Sequence, residues 1–290
     1  MNAQKIAVVG LGLIGGSLAL ALRDAYQSSI ELCGVDQREE DLNAAINRQI
    51  LNWGTASIAE AAAWADIIFL CTPVLQIPVL VSMMAPHLKP GTIISDVGST
   101  KQLISFQIRS LLPEHADYVA GHPMAGRESS GFCAADKNLF RGKKYILLPE
   151  YTRQPESLVV IENLLSVLGA DIAYMDAITH DKCAAIISHV PHVAAAALVN
   201  LLEDGETETA KLAGGGFKDT TRIASSNADM WSDICLTNGE AIVDSLENLK
   251  QKLDDMIYAI QRQDRNEIHQ FFSNAKQKRD QLVSESLLTN

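Results

Sequence analysis

KIAVVGLGLIGGSLALAL, residues 5–22, decides the fold. It opens on a continuous apolar run, KIAVVG, that reads as a fully buried strand. Gly10, Gly12 and Gly15 follow in G-x-G-x-x-G spacing, and a helical pattern continues to about residue 25. Each glycine has a separate task in that turn. The first allows the tight bend, the second lets the backbone approach a pyrophosphate, and the third lets helix and strand pack closely. The helix N-terminus then offers free N–H groups and a partial positive charge to phosphate. The same run resembles the apolar core of a signal peptide only in composition. Four glycines interrupt it, and RDAYQSS after it holds no small-residue cleavage site.

The next strand, ELCGVD (31–36), supports the dinucleotide reading. It ends on Asp36, which is 21 residues beyond Gly15, close to the offset expected for an acid that binds a ribose hydroxyl. A carboxylate there repels a 2′-phosphate, so NAD is expected over NADP. Arg38 stands two residues on and is either a partner for such a phosphate or an exposed residue opening a helix. The cofactor candidates are therefore Gly10, Gly12, Leu13, Ile14, Gly15, Asp36 and Arg38. Thr72 and Pro73, where "TP" ends a strand, and Ser99 at a later strand end complete the set.

Strands and helices alternate onward from there. Runs at 65–73, 91–98, 116–124, 143–150 and 171–176 read as strands, with helical patterns at 39–49, 101–112 and 155–169. Continuous apolar strands alternating with helices imply a doubly wound, mostly parallel α/β sheet of Rossmann type, covered on both faces. The apolar stretch 67–86 is interrupted by Pro73 and Pro78 and reads as strand plus buried helix, not a membrane span. After about residue 175 the texture becomes helical. Residues 180–203 are apolar around most of the circumference, so burial in a bundle or against a second subunit is expected, with a kink at Pro191. Helical spacing returns at 239–262 and 264–287. The domains are read as 1–176, nucleotide-binding, and 177–290, all-helical.

The chain has 290 residues, 47% hydrophobic, with a net charge of −11. That acidity argues against nucleic acid, which needs a basic face. Five widely spaced cysteines without a C-x-x-C fit reduced thiols and a cytoplasmic location, and neither a disulfide framework nor a metal site is expected. His189 and His192 lie three apart in SHVPH, but no third ligand accompanies them.

Two segments carry polar residues that the scaffold does not require. DVGSTK (96–101) and GHPMAGRESSGF (121–132) both end strands at the ligand-facing edge of the sheet. Ser99 reads either as a helix N-cap or as a site residue. His122, set between glycine and proline, reads as a turn histidine or as a proton acceptor held outside regular structure. GGGFKDTTRIASSNADMW (214–231) breaks the helical half with glycines, and Lys218 and Arg222, four apart, form a plausible carboxylate clamp.

These motifs, in this order and over nearly the whole chain, resemble the prephenate/arogenate dehydrogenases of tyrosine biosynthesis. The resemblance implies a Rossmann-type domain followed by a helical domain that makes a homodimer. It also implies NAD-dependent oxidative decarboxylation of prephenate or arogenate. His122 would be the catalytic histidine at the ring C4 hydroxyl and Ser99 would orient that hydroxyl and the nicotinamide. Arg222 would bind a substrate carboxylate, and His192, Glu128 and Trp231 would line the pocket. Arg127 departs from the usual small hydroxyl residue after GHPMAG and contacts either a substrate carboxylate or an acidic neighbour. No fused mutase segment precedes the fingerprint and little chain follows the last helix, so no separate regulatory domain is expected; competition at the active site is the route left open to inhibition by tyrosine. Two other readings use fewer of these residues. A β-hydroxyacid dehydrogenase needs a lysine well inside the first long helix after the sheet, where only Lys182 occurs, near the start. A non-catalytic NAD(H) sensor gives no role to Ser99, His122 and Arg222 together.

Overall fold

In a computed structural model, residues 4–127, 131–202 and 207–288 are described. The chain divides into two compact units, Met1–Gly239 and Glu240–Asn290.

The first unit begins with strand β1 (Gln4–Val9), helix α1 (Leu13–Tyr26), β2 (Ile30–Val35), α2 (Glu39–Asn47) and β3 (Trp53–Thr55). It continues with α3 (Ile58–Trp64), β4 (Ile67–Leu70), α4 (Gln76–Met84), β5 (Ile93–Asp96) and α5 (Gln102–Leu111). Then come β6 (Asp117–Pro123), β7 (Lys144–Leu148), α6 (Pro155–Val167) and β8 (Asp171–Tyr174). The strands form one eight-stranded sheet in the order β3-β2-β1-β4-β5-β6-β7-β8. All pairings are parallel except β6 with β7. The doubly wound reading therefore holds. Its one omission is β3, whose three residues centre on a glycine and look like a turn.

Alternate residues of each strand enter opposite layers. Ile6, Val8, Leu32 and Phe69 pack under α1, α2 and α6, while Ala7, Val9, Ile68 and Leu70 pack under α3, α4 and α5. Burial on both faces explains why the strands read as unbroken apolar runs. Each fully buried Leu or Ile contributes about 1.5–3 kcal/mol.

His122 departs from expectation. It lies inside β6, opposite Ile146 of β7, and not outside regular structure. Pro123 is tolerated there because of register. Met124 N–H donates to the Lys144 carbonyl at 2.8 Å, so position 123 is a non-hydrogen-bonded pair with Tyr145. Its missing donor would face β5, whose pairing with β6 has already ended at Val119.

Helix α7 (Ala177–Ala184) runs through a π-helical turn, Ala185–His189, into α8 (Val190–Val199). Pro191 sits in the first turn of α8, and the wider π turn before it accommodates the proline. The combined helix Ala177–Val199 is long and apolar enough to cross a bilayer. Here it packs on the sheet unit, because Asp181 binds the start of α5 and His180 binds His122. The expected all-round burial is not met within the chain. Ile186 and Ile187 are each 63% exposed, which leaves an apolar face for another surface to cover. Short helices α9 (Thr207–Lys211) and α10 (Gly215–Thr221), a 3-10 turn (Arg222–Ser225) and α11 (Ala228–Thr237) complete the unit. The glycines at 214–216 thus open a helix and do not make a separate loop.

The second unit holds α12 (Gly239–Gln261) and α13 (Arg265–Leu288), joined by a short turn. Gln263 takes φ 57° in the turn, and Asp264 caps α13 by accepting from Asn266 and Glu267 N–H.

Candidate active site

The first strands all end at one edge of the sheet, and strand order reverses between β1 and β4. A crevice at such a switch point is where open α/β sheets bind ligands. Gly10 has φ +88°, and a Cβ there would lie 2.9 Å from the Cys71 carbonyl oxygen. A Cβ on Gly15 would come within 1.9 Å of the Gly10 carbonyl. Gly12 has nothing within 4 Å of that position, so its open side is available to a ligand. No side chain caps α1 at Gly12, and the first-turn N–H groups beside Leu13 and Ile14 have no side-chain acceptor there. Thr72 Oγ1 is buried at the same crevice without a hydrogen-bond partner. An orphaned polar atom beside an open glycine turn fits a bound dinucleotide.

Asp36 does structural work as well. Its Oδ2 accepts from Leu11 N–H at 2.7 Å and its Oδ1 from Arg38 N–H at 2.9 Å. The Arg38 guanidinium forms an ion pair with Asp41, Nη2 to Oδ2 at 2.5 Å. That pairing draws its charge toward a protein carboxylate.

The opposite side of the edge carries a chain of three buried groups. His122 Nδ1 lies 2.8 Å from His180 Nε2, and His180 Nδ1 lies 2.8 Å from Asp181 Oδ1. Protonation follows from what each end can do. Asp181 accepts from Lys101 N–H at 2.8 Å and Gln102 N–H at 2.9 Å, as an ionised carboxylate does. His180 Nδ1–H therefore donates to Asp181, His180 Nε2 accepts, and His122 Nδ1–H donates to it. The network assigns this tautomer and leaves His122 Nε2 as a lone pair. Burial lowers the His122 pKa well below 6.5, and His180, Lys101 and His189 add to the effect. The ring is neutral at physiological pH and suited to accept a proton.

Ser99 is half-buried two residues before Lys101, the N-cap position of α5. The capping alternative fails, because Asp181 reaches across from α7 and takes the first N–H groups of α5 itself. Thr100 is held by Thr237 Oγ1 at 2.9 Å.

His192 Nδ1–H donates to the Ser188 carbonyl, 2.9 Å away, and the ring stacks on Trp231 with ring centroids 3.8 Å apart. Burial lowers its pKa. His189 Nδ1 meets Asn238 Nδ2 at 3.1 Å, while burial pushes its pKa down to about 4. His189 Nε2 and Trp231 Nε1 are both buried without partners. Lys218 in α10 and Arg222 at the start of the 3-10 turn are exposed on a segment that packs against α8. Their four-residue spacing spans two kinds of helix.

Arg127 meets its acidic neighbour. Its Nη2 donates to Asp136 Oδ2 at 2.6 Å, and Asp136 N–H in turn donates to Ser17 Oγ of α1 at 2.9 Å. Phe132, 1% exposed, packs on Gly16, where a Cβ would come within 2.9 Å of its ring. Phe132 and Asp136 are thereby fastened to the dinucleotide helix. Glu128 lies outside the described residues.

Sequence reading missed His180, Asp181, Asn238 and the buried pair Asp96–Lys101. A signal existed for two of them, since HD at 180–181 opens an otherwise apolar helix. Lys182, in α7, is exposed.

A switch-point crevice beside a neutral histidine defines a nucleotide-binding dehydrogenase. Residues 18–174 match the family model "Prephenate dehydrogenase, nucleotide-binding domain", and residues 176–274 match "Prephenate dehydrogenase, dimerization domain". The chain belongs to the prephenate dehydrogenase family. It is 34% identical to the prephenate dehydrogenase of Bacillus subtilis over 97% of this chain and 77% of that protein. A crystal structure of prephenate dehydrogenase from A. aeolicus, in complex with hydroxyphenyl propionate and NAD+, has a TM-score of 0.91 and 31% identity. That match covers 97% of this chain and 99% of the other. An arogenate dehydrogenase from Synechocystis has a TM-score of 0.81 and 34% identity, covering 96% and 100%.

Proposed function

We propose that this protein oxidises prephenate to 4-hydroxyphenylpyruvate with NAD, releasing CO2. The relay that leaves His122 Nε2 as an acceptor carries the reading, because this reaction needs a base at one hydroxyl. Bound NAD supplies the acceptor for the hydride that leaves ring C4. His122 Nε2 takes the C4 hydroxyl proton as that hydride departs, and His180 and Asp181 stabilise the charge. When the C–CO2 bond breaks, its electron pair enters the ring and the oxygen recovers its proton from His122. The ring is then aromatic, the phenol is neutral, and no net proton is released. Ser99 orients the hydroxyl. Arg222 and Lys218 hold a substrate carboxylate, which Arg suits by its charged fork, and His192 and Trp231 bound the pocket.

The open turn at Gly12, the orphaned Thr72 Oγ1 and Asp36 support NAD at the crevice. Pro73 beside Thr72 belongs to the same wall. Residues 1–176 bind the nucleotide, and 177–290 supply substrate contacts and a homodimer interface, in keeping with the exposed Ile186 and Ile187. Five free thiols accord with the cytoplasm.

NADH formation tests the reading. Turnover is expected with prephenate and NAD and to be weaker with NADP. Turnover with arogenate alone would reassign the substrate, and none with either would refute the reading.

A further inference from the structure

Lys101 is 0% exposed, an unusual place for an ammonium. Its Nζ donates to Asp96 Oδ2 and, at 2.8 Å, to the Gly121 carbonyl. Asp96, also 0% exposed, accepts from Tyr118 OH at 2.7 Å, Gly98 N–H at 2.8 Å and Gly121 N–H at 3.3 Å. Gly121 is therefore gripped at both its N–H and its carbonyl, and that carbonyl belongs to the peptide bond entering His122. There is no slack around it, since a Cβ on Gly121 would lie 2.8 Å from the Tyr145 ring and 3.0 Å from the Asp96 carbonyl.

The main chain of the same lysine serves the far end of the relay. Lys101 N–H donates to Asp181 Oδ1, the atom that also holds His180. The contacts close a ring: His122 to His180, His180 to Asp181, Asp181 to Lys101 N–H, Lys101 Nζ to the Gly121 carbonyl, and back to His122. Ser99 lies on the short loop between Asp96 and Lys101, so the same bracket bounds both residues of the reaction.

We propose that Lys101, held by Asp96, is a positioning residue that fixes the His122 ring against both its relay and the Ser99 loop. Stability alone is a weak reason for a buried ion pair, because well-packed apolar residues often serve as well. The pair gives a direction and a potential that apolar residues lack. The titratable and charged groups that act on His122 are His180 from α7, Lys101 from the start of α5 and His189 from the π turn, with Asp181 behind His180. Among these, Lys101 opposes an imidazolium at His122, after burial and His180.

The inference rests on the reading of His122 as proton acceptor, and its test separates the two. Lys101→Met and Asp96→Asn/Lys101→Met are compared with wild type by kcat, KM and NMR titration of the His122 ring in the intact protein. Lys101→Met should lower kcat about 100-fold, the scale of a small misplacement, with KM little changed. The His122 midpoint should rise, and should rise less in the double variant, which leaves no unpaired charge. If Lys101→Met does not fold, the double variant decides. A folded variant with wild-type kcat and an unmoved His122 midpoint would overturn the proposal. Wild-type kcat in His122→Asn would instead overturn the reading beneath it, while the titration would still report whether Lys101 acts on the ring.

Discussion

His122 Nδ1 and His180 Nε2 lie 2.8 Å apart, with Asp181 2.8 Å beyond, so the acceptor state of His122 is set by a carboxylate it does not touch. His122→Asn should reduce kcat by about 10²–10⁴-fold, the usual worth of a positioned base, with NAD affinity unchanged. Asp181→Asn should also reduce kcat, because an amide can donate to His180 and reverse both tautomers. It should cost about 1–2 kcal/mol of stability as well, since Asp181 caps α5. Steady-state kinetics and denaturant titration measure the two effects.

The pH dependence has a defined sign. The His122 pKa is lowered, so the base form persists as pH falls through 6.5. The kcat/KM profile should be flat from pH 8 to 6.5 and decline only well below. An acid limb at or above 6.5 would contradict this.

Stability should fall over a related window. His189 titrates at about 4 in the fold and near 6.5 when unfolded. Between those values the unfolded chain binds a proton that the folded chain refuses, so acid favours unfolding. Full protonation of the unfolded state is worth roughly 3 kcal/mol at 1.36 kcal/mol per unit. His189→Gln should make the stability profile shallower between pH 7 and 4, with His122 and His192 keeping their share of the slope, read by denaturant midpoints.

Two glycines of one fingerprint should respond differently. Gly15→Ala forces a Cβ to 1.9 Å from the Gly10 carbonyl and should cost folding itself. Gly12→Ala meets open space, so its Tm should match wild type while its NAD affinity drops by about tenfold or more. Calorimetry and NAD titration distinguish the two.

Arg222→Ala should act chiefly on KM, raising it about 10- to 100-fold, the worth of hydrogen bonds to a charged group. A fall in kcat with unchanged KM would place Arg222 at the reacting centre instead.

Much of the fold was legible in KIAVVGLGLIGGS alone. A buried strand, a glycine turn and a helix N-terminus are local chemistry, and period and spacing report local chemistry directly. Asp36 was legible for the same reason, since its distance from Gly15 is fixed by one βαβ unit. The strand at 53–55 was not, because three residues carry no period. Ser99 and His122 stood out as polar residues at strand ends, but their alternatives could not be separated by sequence. A cap is filled by whichever side chain arrives in space, and here Asp181 arrives from 80 residues away.

The sequence by itself determined the doubly wound sheet, the dinucleotide turn and the family, since each follows from short-range pattern. Only the tertiary structure decided that His122 is a strand residue with its Nε2 free, that Asp181 sets its tautomer, and that Arg127 belongs to Asp136. Those depend on contacts between distant segments, and a hydrogen bond records distance in space, which spacing along the chain does not encode.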